Sequence, residues 1–306
     1  MKQDEQNSDR NIALFGVGTM GRIILEKLLK NGYTVFAYDP FPIARDFIKN
    51  TSAHLMDKIA DAAKQADVCI MSLPNSKIVL DTVGGIEGIA ANSTKGTFIL
   101  DTSTVDPKTS KKASSIAQEY DLNYLDAPLL GRPASPEGWV SPVGGESAHY
   151  KKVQVIIESY VSRSIHVGPL GSGNTLKLLN QMMFSTINCI TSEVMAICSQ
   201  TELDPAMLYD LVANSGASTV SGLFKEVGRK ICENNFSPEF TVKLLAKDSQ
   251  LAQEMTIDYQ APSLLLNTVN FVNSLAISKG YGDDDTSAIY KTYMEIYAGK
   301  DTISEI

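Results

Sequence analysis

The 306-residue chain is short of several things, and each shortage removes a class of function. It has only three histidines and four cysteines, and none of them falls into ligand spacing. Cys69, Cys189, Cys198 and Cys232 form no CxxC pair, and His54, His149 and His166 are scattered. No metal site is therefore expected, and the cysteines read as buried, reduced thiols of a cytoplasmic protein. No Lys/Arg-rich run occurs: 27 basic residues face 35 acidic ones, for a net charge of −8. A nucleic-acid partner is not expected, because neutralising phosphates requires a clustered basic surface. No run of eighteen apolar residues occurs, so no membrane span is expected either. Met1–Arg10 is polar, lacks an apolar h-region, and reads as a frayed tail rather than a signal peptide.

What is present describes a globular protein with a sizeable core, 43% hydrophobic and 20% charged, long enough for two domains. Short apolar runs alternate with helical patterns through the first half. The expected strands are Asn11–Gly16, Thr34–Asp39, Val68–Leu73, Thr97–Thr102, Asn123–Pro128, Trp139–Gly144 and Ser164–Val167. Helices are expected between them, among them Met20–Asn31 and Pro107–Glu119. Such alternation implies a parallel, doubly wound α/β sheet covered on both faces. Beyond Pro169 strand signals stop and helical stretches take over: Asn174–Thr201, Pro205–Asn214, Phe224–Asn234, Val242–Ile257 and Ala261–Lys279. The Gly-rich segment His166–Asn174 marks the change. It separates a dinucleotide-binding domain over residues 11–168 from an all-helical domain over residues 169–306.

The dinucleotide reading rests on "GVGTMG", Gly16 to Gly21, which follows an apolar strand and opens an amphipathic helix. Gly16 permits a tight turn, Gly18 lets the backbone approach a pyrophosphate, and Gly21 lets helix and strand pack closely. Val17, Thr19 and Met20 complete that loop, whose helix N-terminus offers unsatisfied N–H groups. Asp39 ends the next strand about twenty residues on, where a carboxylate accepts hydrogen bonds from a ribose. Its alternative is a turn opened with Pro40. No basic residue adjoins Asp39 to hold a 2′-phosphate, which favours NAD over NADP.

Four later stretches also bear chemistry. "SLPNS", with Leu73 and Pro74, and "DTSTVDP", with Ser103 and Thr104, both lie at strand ends, where open α/β sheets bind ligands. In "GSGNTLKLLNQ", Lys177 lies one turn into a helix that is otherwise apolar, and Asn180 and Gln181 share its face. An ammonium in such a place needs a partner or a purpose. Partial burial lowers a Lys pKa and suits it to proton transfer. The alternative is a snorkelling Lys at a helix end. "KDS" adds Lys247 beside a carboxylate, which could equally be a solvated surface pair.

Together these stretches resemble the β-hydroxyacid dehydrogenase family, most closely its 3-hydroxyisobutyrate dehydrogenase-like branch, from Ile12 to about Tyr297 and in family order. The resemblance implies a Rossmann-type domain followed by an all-helical one, Lys177 as the catalytic residue, Ser103 and Thr104 lining the site, Lys247 near the nicotinamide, and a homodimer or homotetramer. It also exposes departures. "DAPLLGR" stands where the family commonly has "DAPVSGG", so Leu130 replaces a hydroxyl and Arg132 a glycine, while Gly131 is kept. Gln181 replaces the usual second Asn. The implied activity is NAD-dependent oxidation of a small β-hydroxyacid to a semialdehyde or keto acid. Glyoxylate/succinic semialdehyde, sulfolactaldehyde and imine reductases share the fold, and the retained Lys177 counts against the imine branch. Intact Lys177 and Lys247 count against a non-catalytic cofactor-binding protein.

Overall fold

The computed structural model describes residues 10–201, 203–215, 219, 221–261 and 263–298, so most of the N-terminal segment read as a tail lies outside the described residues. The chain divides into two compact units, Met1–Lys177 and Leu178–Ile306.

The first unit is built on eight strands: β1 (Asn11–Phe15), β2 (Thr34–Tyr38), β3 (His54–Leu55), β4 (Val68–Met71), β5 (Phe98–Asp101), β6 (Asn123–Asp126), β7 (Val140–Gly144) and β8 (Arg163–Gly168). They form one sheet in the order β3-β2-β1-β4-β5-β6-β7-β8. Its helices are α1 (Thr19–Lys30), α2 (Pro42–Lys49), α3 (Ile59–Ala63), α4 (Ser76–Val83), α5 (Ile89–Asn92), α6 (Pro107–Gln118) and α7 (Ser147–Glu158). Strand side chains alternate between two cores, as a period of two requires. Ile12 and Leu14 of β1 enter one core with Ile24, Leu25, Leu28, Trp139 and Val153, while Ala13 and Phe15 enter the other with Met71, Val79, Ile99 and Ala113. The central strand β4 is buried at all four positions, which is why it reads as an unbroken apolar run.

The sheet departs from the expected all-parallel arrangement at one place. β7 runs antiparallel to β6, joined through the pair Asp126↔Gly144. Between these strands the chain makes only the 3-10 turn Pro136–Gly138, without the long helical crossover that a parallel connection needs, so it doubles back. Leu130 and Val140 exchange backbone hydrogen bonds across that return. The edge strand β3 escapes sequence reading because two residues carry no periodicity.

The second unit is helical. The 28-residue α8 (Ser172–Ser199) starts in the first unit and is followed by α9 (Pro205–Ala213), α10 (Gly222–Cys232), α11 (Val242–Asp258), α12 (Leu264–Ala276) and α13 (Ile289–Ala298). The helix expected over Ala261–Lys279 stops at Ala276 and becomes a π-helical turn at Ile277–Tyr281, where Gly280 adopts φ 93°. By length and mean hydropathy α8 could cross a membrane. It carries, however, a row of buried polar residues that bond within the helical unit: Gln181 to Asp248, and Asn188 to the Thr286 carbonyl. That row marks a core helix of this fold. Beneath α10, Lys230 is 2% exposed and lies 3.0 Å from Asp285 and 3.1 Å from Glu239.

Candidate active site

The glycine loop is fixed by contacts that leave no room for side chains. Gly16 adopts φ 92°, its N–H donates to the Tyr38 carbonyl, and a Cβ there would lie 2.3 Å from the Ser72 carbonyl oxygen. A Cβ on Gly21 would meet the Gly16 carbonyl oxygen at 2.1 Å. Gly18 differs, because a Cβ there would meet nothing within 4 Å. Gly18 is also the N-cap of α1, so no side chain satisfies the first-turn amides. The open surface at Gly18 and those amides fit a pyrophosphate.

Asp39 is buried just past β2, and its two oxygens accept from the amides of Val17 at 2.7 Å and Phe41 at 2.9 Å. The carboxylate thus clamps the glycine turn to the end of β2, where a ribose next to the pyrophosphate would lie. Arg22 spans the same gap, with its guanidinium near the carbonyls of Val17 and Ile43 and 4.8 Å from the Phe47 ring.

The same edge of the sheet continues through β4 and β5. The Leu73 amide donates to the Ser103 hydroxyl at 2.9 Å, tying "SLPNS" to "DTSTVDP". Ser103 is itself buried, and its amide donates to Asp101. Burial pushes the Asp101 carboxyl up, against hydrogen bonds from Ser103 and from the Tyr124 hydroxyl at 2.6 Å. The side-chain amide of Asn174, on the first turn of α8, touches the Val105 backbone at 3.3 Å and the Ser110 hydroxyl at 3.1 Å. Lys177 is half-buried one turn further along. Three bonds, Val17–Asp39, Leu73–Ser103 and Val105–Asn174, therefore set the glycine loop, Asp39, Leu73, Ser103 and the start of α8 side by side at the carboxyl ends of β2, β1, β4 and β5. Pro74, Thr19 and Gly18 are exposed on this edge, with Met20 and Thr104 half-buried.

The β6–β7 return holds the departures from the family pattern. Gly131 adopts φ 146°, and a Cβ there would lie 2.4 Å from the Trp139 ring, so this glycine is required by packing as well as by backbone. The Trp139 indole N–H donates to the Arg132 carbonyl at 2.8 Å. Leu130 is half-buried, and the three guanidinium nitrogens of Arg132 are shielded from solvent.

In the second unit, Gln181 is buried and its amide nitrogen donates to Asp248 at 2.6 Å, while Lys247 lies 2.9 Å from the other oxygen of the same carboxylate. Asn180, more exposed, approaches Gln181 at 3.4 Å. Gln181, Lys247 and Asp248 form one cluster that ties α8 to α11. Three residues that sequence reasoning missed stand out: Asp126, Asn174 and Asp248. Each sits inside a motif already singled out, but only the fold shows that its side chain joins two motifs.

Residues 11–168 match the family described as the NAD binding domain of 6-phosphogluconate dehydrogenase. Residues 171–293 match the one described as NAD-binding of NADP-dependent 3-hydroxyisobutyrate dehydrogenase. The chain belongs to the β-hydroxyacid dehydrogenase family. It is a nicotinamide-dinucleotide-dependent dehydrogenase, an oxidoreductase acting on CH–OH. Among its relatives, mitochondrial 3-hydroxyisobutyrate dehydrogenase of Mus musculus is 28% identical over 93% of this chain and 87% of that protein. NAD-dependent L-serine dehydrogenase of Pseudomonas aeruginosa is 28% identical over 93% of this chain and 98% of that protein. The crystal structure of 3-hydroxyisobutyrate dehydrogenase from Salmonella typhimurium superposes with a TM-score of 0.84 at 20% identity, covering 92% of this chain and 99% of that one. At that identity the last likeness speaks for the fold.

Proposed function

We propose that this β-hydroxyacid dehydrogenase uses NAD to oxidise a small, anionic β-hydroxyacid of the 3-hydroxyisobutyrate kind, with Lys177 as acid and base. The observation that carries the reading is the gathering of glycine loop, Asp39, Leu73, Ser103 and the first turn of α8 along one sheet edge, tied pairwise by hydrogen bonds. A bound nicotinamide would supply the hydride acceptor for the carbinol carbon. Lys177 takes the hydroxyl proton as that hydride leaves and returns it in the reverse direction. Gly131 and the backbone around Ser103 would hold the substrate's acid group, with Leu130 narrowing the pocket. Thr104 and Lys247 would lie on the nicotinamide side. Asn180 would orient Lys177 or the substrate, and Gln181 would act through Asp248. Relatives named for 3-hydroxyisobutyrate and L-serine support a substrate bearing both a carboxylate and a hydroxymethyl carbon.

Asp39 supports NAD over NADP, because a carboxylate facing the ribose repels a 2′-phosphate. kcat/KM is expected to favour NAD by at least about tenfold, the equivalent of roughly 1.4 kcal/mol. Asp39→Ala should narrow that ratio. Equal or faster turnover with NADP by the parent protein would contradict the assignment.

Arg132 in place of the family's glycine favours a second reading of the substrate, one with a further carboxylate or a sulfonate. Initial rates on a panel of mono- and dianionic hydroxyacids with NAD, and of aldehydes with NADH, test the function and the substrate class together. On the dianionic members Arg132→Gly is expected to lose about 1.5–3 kcal/mol of kcat/KM selectively, the range for a hydrogen bond to a charged group. An equal loss on both classes would remove Arg132 from the pocket, and no turnover of any hydroxyacid or aldehyde would refute the proposed activity.

A homodimer or homotetramer fits the apolar residues that α8 leaves exposed on one stripe, Leu179, Met183, Ile190, Val194 and Ile197. The molar mass in solution tests this.

A further inference from the structure

The first turn of α8 is fastened to the sheet by a carboxylate that the proposed chemistry does not use. Asp126 ends β6, is wholly buried, and aims both oxygens at that turn: Oδ1 accepts from the Gly171 amide and Oδ2 from the Asn174 amide, each at 2.8 Å. These are amides that a helix start leaves unsatisfied, and here a residue 45 or more positions away caps them. The fit is tight on both sides. A Cβ on Gly144 would lie 2.4 Å from Oδ1, and one on Gly173 would lie 2.9 Å from Oδ2. Asn174, held by its own amide, carries the constraint to Val105. Lys177 follows three residues later, on the same face of the helix.

We propose that Asp126 is a positioning residue: by capping α8 from the sheet, it fixes the turn that carries Lys177 against the Ser103–Val105 loop. The inference rests on Lys177 being the acid–base group. It assigns Asp126 no contact with substrate. Anchorage of this kind matters because a misplacement of about 1 Å at a reacting group can cost about 10²-fold in rate. A carboxylate is suited to the task, since its charge also favours the positive end of the helix dipole. Burial pushes the Asp126 carboxyl up to about 6, against the opposing pull of the Asn174 and Gly171 amides.

The test compares Asp126→Asn and Gly144→Ala, the second of which crowds the same carboxylate without removing its charge. Two readouts are needed, steady-state kinetics and amide hydrogen exchange over residues 171–178. Each variant is expected to lower kcat about 10–100-fold, to leave the KM for NAD within about twofold, and to speed exchange in that segment at least about tenfold. Combining the two should cost little more than Asp126→Asn alone. Faster exchange with unchanged kcat would leave Asp126 a purely structural cap and overturn the proposal. Unchanged exchange, or loss of the folded protein in both variants, would overturn it too. The exchange arm does not depend on what Lys177 does. If Lys177→Ala turns over normally while exchange responds as expected, it is the acid–base reading that has failed and not the anchorage.

Discussion

Lys177→Ala is expected to lower kcat by about 10²–10⁴-fold while NAD binding changes little, the usual contribution of a positioned acid–base group. The residues proposed to hold the pyrophosphate and ribose lie on the loops after β1, β2 and β4, none of which the substitution touches. Lys177 sits on a helix turn where Asn174 and Leu178 are buried. A half-buried ammonium on a largely apolar helix is poorly placed for a purely solvated role. Single-turnover hydride transfer, followed at the reduced-nicotinamide absorbance, separates loss of proton transfer from loss of binding. An alanine variant with near-normal turnover would make the lysine a structural residue, and the site would need another acid.

Lys230→Met is expected to destabilise the helical unit by about 3–5 kcal/mol, because it leaves Asp285 buried without its ammonium partner. Asp285 is 1% exposed and also accepts from the Ser287 and Glu239 amides, so it cannot relax into water. Burial alone would push its carboxyl up. The hydrogen bonds from Lys230 and Ser287 outweigh that and hold it below the usual carboxylate range. A depressed folded pKa means that this stabilisation is fully present above the unfolded value, near pH 4, and is lost as pH falls through the folded one. Urea unfolding followed by circular dichroism checks both points. A loss under about 1 kcal/mol, or a parent protein whose stability is flat through the acid range, would contradict them.

The glycine loop and the expected strands of the first unit were legible in the sequence because they depend on local rules. Gly16 must turn, Gly21 must pack, and β1 and β4 must be apolar. The reversal of β7 was not legible, because the direction of a strand is decided by the length and shape of the connection before it. Nor were the roles of Asp126, Asn174 and Asp248. A carboxylate at the end of a strand looks the same in a sequence whether it meets water or the first turn of a helix 45 residues away. Gln181 illustrates the same limit. Its place beside Lys177 on a helix suggested a shared task, yet its amide is spent on Asp248, 67 residues on. Arg132 could be read as a departure, while the shielding of its guanidinium from solvent came only from the fold.

The proposed activity moves hydride from the carbinol carbon of a β-hydroxyacid to a nicotinamide. The most direct measurement supplies 3-hydroxyisobutyrate and L-serine deuterated at the hydroxymethyl carbon, together with NAD, and weighs the reduced cofactor by mass spectrometry. The reduced nicotinamide formed is expected to carry one deuterium from whichever acid is consumed, and Lys177→Ala is expected to slow its appearance without changing the label. Reduced cofactor formed without deuterium would contradict it.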